Sequence, residues 1–423
     1  MIRALLCAVL CCAAVAVQAE VASESTGKVE TLPQPPHAHW VWTSDLVLQR
    51  SALMDADSGR FLGMINGGYG TIMPLFARTR PEIYIPATYY SRGTHGARTD
   101  VVEIYDPTTL AVTGEVEIPP KRATNAVALG HAALSDDDRF LALFNWTTGT
   151  SLSIVDVAAH RFAAELRTPG CSLVYAAGPR RWLSLCADGA AFTLTLDDQG
   201  GEASRAMSAP FFDPKIDPIT EKAVRVGDTW LFVSFEGVIH PVDVSGPELR
   251  FGETWPLFTA DDRRENWRIG GEQHLAAHAK SGRLYALVHR GPVDTHKDPG
   301  EEVWVYDIAS HRRLQRIPLK NPGFTIYGFP ISGSSVVPGS VNRVIDWLVD
   351  HVAPPLVGFI TVTQDDAPLL ITSSQFSGSI AVYDARDGAF VRRVGPTGWT
   401  SDVLVAPWGA GPASADAQSG AAP

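Results

Sequence analysis

Several groups of residues along this chain have types and spacings that could do chemistry. Cys171 and Cys186 stand in the pattern Cys171-Ser-Leu-Val-Tyr … Leu-Ser-Leu-Cys186. In an oxidising compartment such a pair most simply closes a strand-to-strand disulfide, with two buried free thiols as the alternative. A metal role is poorer, because no C-x-x-C and no nearby histidine completes a ligand set. His274 and His278 have the i, i+4 spacing of a helical zinc pair. No H-E-x-x-H glutamate follows His274, however, and the segment reads as strand, turn, strand, where both histidines share a face with Ala276 and serve structure. Thr295-His296-Lys297-Asp298-Pro299-Gly300 gathers three ionisable side chains, and its Pro-Gly end marks a tight loop. Asn145-Trp146-Thr147 matches a glycosylation acceptor but reads as a strand end. Gly67-Gly68-Tyr69-Gly70 sets an aromatic among glycines, where backbone freedom lets a loop approach a neighbour closely.

The motifs of several enzyme classes are missing. No G-x-S-x-G nucleophile elbow, no G-x-x-x-x-G-K-[ST] phosphate loop and no G-x-G-x-x-G after a strand occurs. Hydrolase and nucleotide chemistry therefore have little support, and the reading assigns no catalytic residue and no metal ligand. A formal net charge of −11 disfavours nucleic acid or anionic lipid as partner, since a phosphate backbone must be met by clustered Lys and Arg. The basic residues stand singly or in short pairs such as Arg312-Arg313, which belong on solvated surfaces.

The elements that would position these residues follow from a repeat. A short apolar strand, an Asp, a turn and a second short strand recur along the chain. The copies are Ser51-Ala-Leu-Met-Asp55, Val102-Glu-Ile-Tyr-Asp106, Leu152-Ser-Ile-Val-Asp156, Phe192-Thr-Leu-Thr-Leu-Asp197, Ile239-His-Pro-Val-Asp243, Val303-Trp-Val-Tyr-Asp307 and Ile380-Ala-Val-Tyr-Asp384. The earlier spacings lie near the roughly forty to fifty residues that one four-stranded blade needs. Each carboxylate can accept backbone N–H groups about two residues ahead and fix the turn, so each Asp is structural. Between the markers, 132–144 and 275–288 read as further strand pairs. A blade cannot bury both its faces alone, so seven of them predict one closed, all-β domain, a seven-bladed β-propeller, over residues 41–408.

Two intervals are longer. One holds Leu257 to Trp267, a charged loop or short helix. The other holds an insertion at about 321–360, in which Val341, Val344, Ile345, Leu348, Val349 and Val352 follow helical spacing and Ser340 can cap the start. This predicts an amphipathic helix before the last blade, packed on the propeller edge or serving as a docking surface. Residues 1–19 read as a cleaved signal peptide, with Arg3, an apolar run from Ala4 to Val17 and a small-residue end at Ala19, which predicts export to the periplasm without a membrane anchor. Residues 20–40 read as an N-terminal arm and 409–423 as a flexible tail.

These residues resemble a family, the heavy subunits of tryptophan tryptophylquinone amine dehydrogenases. The resemblance runs over most of 46–320 and includes Asp55-x-Asp-Ser-Gly-Arg-Phe-Leu-Gly-Met-Ile-Asn-Gly-Gly-Tyr69, Arg98-Thr-Asp-Val-Val-Glu-Ile-Tyr-Asp-Pro-Thr-Thr-Leu110 and the Cys171 and Cys186 pair. Asn266-Trp-Arg-Ile-Gly-Gly271 and the stretch from Thr295 through Glu302-Val-Trp-Val-Tyr-Asp307 are similar too. It implies an amine dehydrogenase subunit that pairs with a light subunit in a two-heavy, two-light assembly. The quinone would reside on that light subunit and not on this chain, and electrons would pass to a copper protein or cytochrome. It also implies that Tyr69, after the Gly-Gly pair, lines the substrate channel. The Asn321 to Ile360 stretch departs from the family pattern, which bears on how the light subunit and electron acceptor dock. The competing expectation is an exported propeller scaffold or binding module without activity.

Overall fold

Strands that face neighbours on both sides must be apolar throughout, whereas a strand at the rim meets water. The computed structural model, which describes residues 31–70, 73–124, 129–146, 148–323, 325–326, 329–330 and 339–407, arranges the repeat in this way. Phe140–Asn145 and Ser151–Asp156 are buried at every position, while Glu202–Met207, at the edge of its sheet, is exposed at every position. The expected signal peptide and tail, and most of the arm, lie outside the described residues.

Seven antiparallel sheets form the blades of a seven-bladed β-propeller. Blade 1 takes Trp40–Asp45, Arg50–Asp55 and Phe61–Asn66 from the start of the described chain and Val403–Val405 from its end. Blades 2 to 6 follow as 75–118, 132–167, 171–207, 224–256 and 267–318. Blade 7 comprises Phe359–Val362, Leu369–Ser373, Ile380–Asp384 and Phe390–Val394. The ring closes where Leu404 pairs with Thr43. The Gln273 side-chain amide secures the closing strand from blade 6, donating to Leu404 O at 2.9 Å and accepting its N–H at 3.0 Å.

The core is a series of clusters between adjacent blades. Phe140 and Ile154 of blade 3 pack with Trp182 and Phe192 of blade 4, and Val41 and Met54 of blade 1 pack with Ile371 and Val382 of blade 7. Fully burying one such side chain contributes roughly 1.5–3 kcal/mol. This is why blades that are unstable alone become one cooperative ring.

All seven marker aspartates fix turns as expected. Asp55, Asp106, Asp197, Asp243 and Asp384 accept the N–H two residues ahead, and Asp156 and Asp307 the one three ahead, at 2.7–3.0 Å. Cys171 and Cys186 lie directly opposite each other in blade 4 and form a disulfide.

Among the described residues, two α-helices interrupt the ring. Helix α1, Ala260–Arg264, starts at a capping box of Thr259 and Asp262. Helix α2, Gly339–Val352, fills the predicted place before blade 7, but it begins at Gly339, so Ser340 lies inside the helix and not at its cap. Asp350 ties it to Lys320 at 2.7 Å and to Arg393, and Val349 is buried. Val341, Val344, Trp347, Leu348 and Val352 remain 48–77% exposed, so the helix is anchored through one edge and its apolar stripe faces outward. No helix among the described residues is long and apolar enough to cross a membrane.

Candidate functional site

The glycine-flanked aromatic Tyr69 is exposed yet held by its backbone. Gly68 adopts φ +64°, and a Cβ there would stand 2.5 Å from the Thr88 carbonyl oxygen, so no other residue fits without displacing the backbone. Gly70, at φ +101°, lets the chain turn away. Between them Tyr69 donates its backbone N–H to Thr88 O at 2.7 Å and presents a side chain that is 39% exposed. Its ring meets that of Tyr90 edge-on, with centroids 5.6 Å apart. The arrangement fixes both the backbone and one edge of the ring.

A buried ionic frame lies beneath. Asp100 is fully buried and accepts two bonds from the Arg98 guanidinium at 2.8 Å each, the Arg122 backbone N–H at 2.9 Å and the Thr88 hydroxyl at 2.8 Å. Arg122, 5% exposed, returns a bond from Nη2 to the Thr88 hydroxyl at 3.0 Å and reaches the Tyr69 carbonyl at 3.5 Å. Arg98 closes the network by donating to Arg122 O at 2.6 Å. Burial pushes the Arg122 guanidinium down to about 10, with Asp100 opposing the shift, so it stays cationic at neutral pH. A buried charge is tolerable only when its partners are satisfied, and here they are.

A second cluster adjoins the first. Lys222 is 1% exposed, with its ammonium against Glu221 and 3.6 Å from Glu272. Burial disfavours the Glu221 carboxylate, but Lys222 outweighs that cost and holds its pKa below the ordinary value. His131 is pushed down to about 4, first by burial and then by Arg122, while Glu221 opposes the shift; His131 therefore links the two clusters. His274 is fully buried between the Gly271 carbonyl at 3.0 Å and the Thr220 hydroxyl at 2.9 Å. These partners assign the proton to Nδ1. Burial and then Lys222 push His274 down to about 3. His131, Lys222 and His274 stand just before the strands Ala132–Leu134, Val224–Val226 and Leu275–His278 of blades 3, 5 and 6.

The structure sorts the other sequence candidates. His278 bonds Ser281 and the Asp365 carbonyl, so both members of the His274 and His278 pair are structural. In the 295–300 loop, Lys297 and Asp298 face water, and His296 stacks on Phe235 with ring centroids 3.5 Å apart and a buried, unpartnered Nδ1. Asn145 ends its strand as expected and bonds the Ser151 and Ser153 hydroxyls within the blade. The expectation that basic residues sit on solvated surfaces fails at Arg122 and Lys222. Nothing local marked them, because their carboxylate partners include Asp100 and Glu272, each on another part of the ring.

Fold and site together define a closed seven-bladed β-propeller that carries an exposed aromatic over a buried, satisfied ionic frame. Residues 36–333 match the family model described as methylamine dehydrogenase heavy chain, and the chain belongs to that family. It is 24% identical over 348 residues to the methylamine dehydrogenase heavy chain of Methylophilus methylotrophus, covering 79% of this chain and 74% of the relative. It is 25% identical over 369 residues to that of Paracoccus versutus, covering 86% and 78%. Among solved structures it resembles dihydro-haem d1 dehydrogenase NirN at TM-score 0.52 and 14% identity, covering 88% of this chain and 76% of that one. It also resembles the β-propeller domain of Cps50 (Swd1) from Myceliophteria thermophila at TM-score 0.51 and 11% identity, covering 82% and 94%. These two show the fold alone.

Proposed function

We propose that this chain is the large, cofactor-free subunit of a periplasmic quinoprotein amine dehydrogenase, which converts primary amines to aldehydes and passes electrons to a copper protein or cytochrome. The observation that carries the reading is Tyr69, an exposed aromatic locked on a Gly-Gly turn in a chain of the methylamine dehydrogenase heavy chain family.

The tryptophan tryptophylquinone of a partner light subunit supplies the electron sink for amine oxidation when that subunit is bound. One close pair of tryptophans in this chain does not fit that role. Trp267 and Trp304 have ring centroids 5.0 Å apart but are 1% and 0% exposed, and arginines stack on both, so no amine reaches them. The contribution of this chain is then to bind the light subunit in a two-heavy, two-light assembly, to exclude water and to set the width of the amine channel with the Tyr69 ring. The Cys171–Cys186 disulfide supports an oxidising compartment.

Co-purification from the periplasm tests the reading. A small, cysteine-rich chain with quinone absorbance should accompany this one, and the complex alone should oxidise amines. Amine oxidation by the isolated mature chain would overturn the reading, and a chain that purifies without a partner or quinone would favour a binding scaffold.

A further inference from the structure

At the end of blade 1 opposite Tyr69, side chains of ligand character converge. His37, His39 and Asp57 each offer one ligand atom, and these atoms lie within 4.8 Å of one another. His39 Nδ1 is 2.9 Å from Asp57 Oδ2, and His37 Nδ1 is 3.8 Å from the same oxygen. The two imidazoles meet edge-on with centroids 5.2 Å apart and are not stacked. His37 Nδ1 accepts the His39 backbone N–H at 3.2 Å, a bond that an ion would replace.

Two further features argue for a ligand set over a surface ion pair. The second nitrogen of His39 lies 3.1 Å from the Asp365 carboxylate of blade 7. A metal-binding histidine characteristically donates its other N–H to a carboxylate, which fixes the ring and raises its basicity. The Asp57 turn is itself preset, because Asp55 accepts the Asp57 N–H at 2.9 Å and also takes the Ser58 hydroxyl. Access is open on one side only: the His37 and Asp57 side chains are 57% and 49% exposed, whereas His39 and Asp365 are 13% and 22% exposed.

We propose that His37, His39 and Asp57 bind a divalent transition-metal ion of the zinc class, with Asp365 orienting His39 and solvent completing the coordination. Two imidazoles and one carboxylate suit Zn²⁺ and its neighbours, whereas Ca²⁺ and Mg²⁺ prefer oxygen ligands. The ion ties the segment entering the propeller to the turn between the Arg50–Asp55 and Phe61–Asn66 strands of blade 1. Through Asp365 it also ties blade 1 to blade 7, across the seam where the ring closes. The sequence alone does not mark the site, because His37 and His39 are separated from Asp57 and far from Asp365 in the chain.

The test uses the full mature chain, free of any affinity tag and stripped with a chelator. Co²⁺ should give a tetrahedral visible band that saturates at a single equivalent, and Zn²⁺ should displace it and raise the unfolding midpoint. His37→Ala, at an exposed side chain, should abolish the band. Asp365→Asn should weaken Zn²⁺ by about 10–100-fold while leaving the ligands in place. His160→Ala, at an exposed histidine elsewhere, should change nothing. Absence of a band in the wild type, or equal binding by wild type and His37→Ala, overturns the proposal; Asp57→Asn repeats the test if the first variant is unstable.

Discussion

The backbone N–H of Tyr69 is bonded to the carbonyl of Thr88 at 2.7 Å, and the hydroxyl of the same Thr88 is bonded to the buried Arg122 and Asp100. The exposed ring and the ionic frame thus share one residue. A side chain held through its own backbone can act as a gauge, because its position does not depend on what it touches.

On the proposed function, Tyr69→Ala should widen the amine channel of the assembled complex. The ratio of kcat/KM for bulky over short amines is expected to rise about tenfold or more, within the range of hydrophobic pocket discrimination. Steady-state kinetics on an amine series checks this, and unchanged relative rates would remove Tyr69 from the channel.

Gly68→Ala should act on the same channel indirectly. The φ of +64° and a Cβ 2.5 Å from Thr88 O force the loop to move, at a cost of about 1–3 kcal/mol. Substrate preference should change although the Tyr69 side chain is retained. Wild-type selectivity with wild-type stability would show that the turn is not constrained as described.

Arg122→Met should remove the guanidinium bonds to the Thr88 hydroxyl and the Tyr69 carbonyl, while Asp100 keeps Arg98 and the backbone N–H of residue 122. Losing hydrogen bonds made by a buried charged donor costs about 1.5–3 kcal/mol. Chemical denaturation should show this loss, and a change under about 1 kcal/mol would mean that the frame is solvated.

Acid stability should be governed in part by His131 and His274. Both fold with pKa values below the ordinary 6.5, at about 4 and about 3, so below pH 6.5 the unfolded chain binds more protons than the folded one. Stability therefore falls as the pH drops through that window, by about 1.4 kcal/mol per pH unit for each histidine. It stops falling for His131 near pH 4 and for His274 near pH 3. His131→Gln should flatten the slope between pH 6 and 4 in denaturant titrations repeated across pH; an unaltered slope would contradict a neutral, buried His131.

Reducing blade 4 by Cys171→Ser with Cys186→Ser should cost about 2–4 kcal/mol, the usual value for a loop of this length. Thermal or denaturant midpoints measured with and without reductant separate this from a local packing loss. Equal midpoints for the wild type under both conditions would show that the bond adds nothing.

Much of the architecture was readable from local pattern. The strand-Asp-turn repeat depends on contacts within a few residues, so Asp55, Asp106 and the other markers could be matched to turns directly, and the period then required blades. Helix α2 was likewise visible in its apolar spacing, although the outward direction of that stripe was not. The Cys171 and Cys186 pair was legible because its members face each other across one hairpin.

The chemistry of the ring could not be read in this way. Arg122 stands beside Lys121 in the chain and looks like a surface cation, and Lys222 beside Glu221 looks like a solvated pair. Both are buried, Arg122 against Thr88 and Tyr69 and Lys222 beside Glu272. His37, His39, Asp57 and Asp365 are unremarkable until the ring brings its last blade against its first. Local hydrogen bonding and hydrophobic period are properties of short segments, and the sequence alone determined those. Burial and charge pairing depend on distances between segments remote in the chain, and only ring closure decided them.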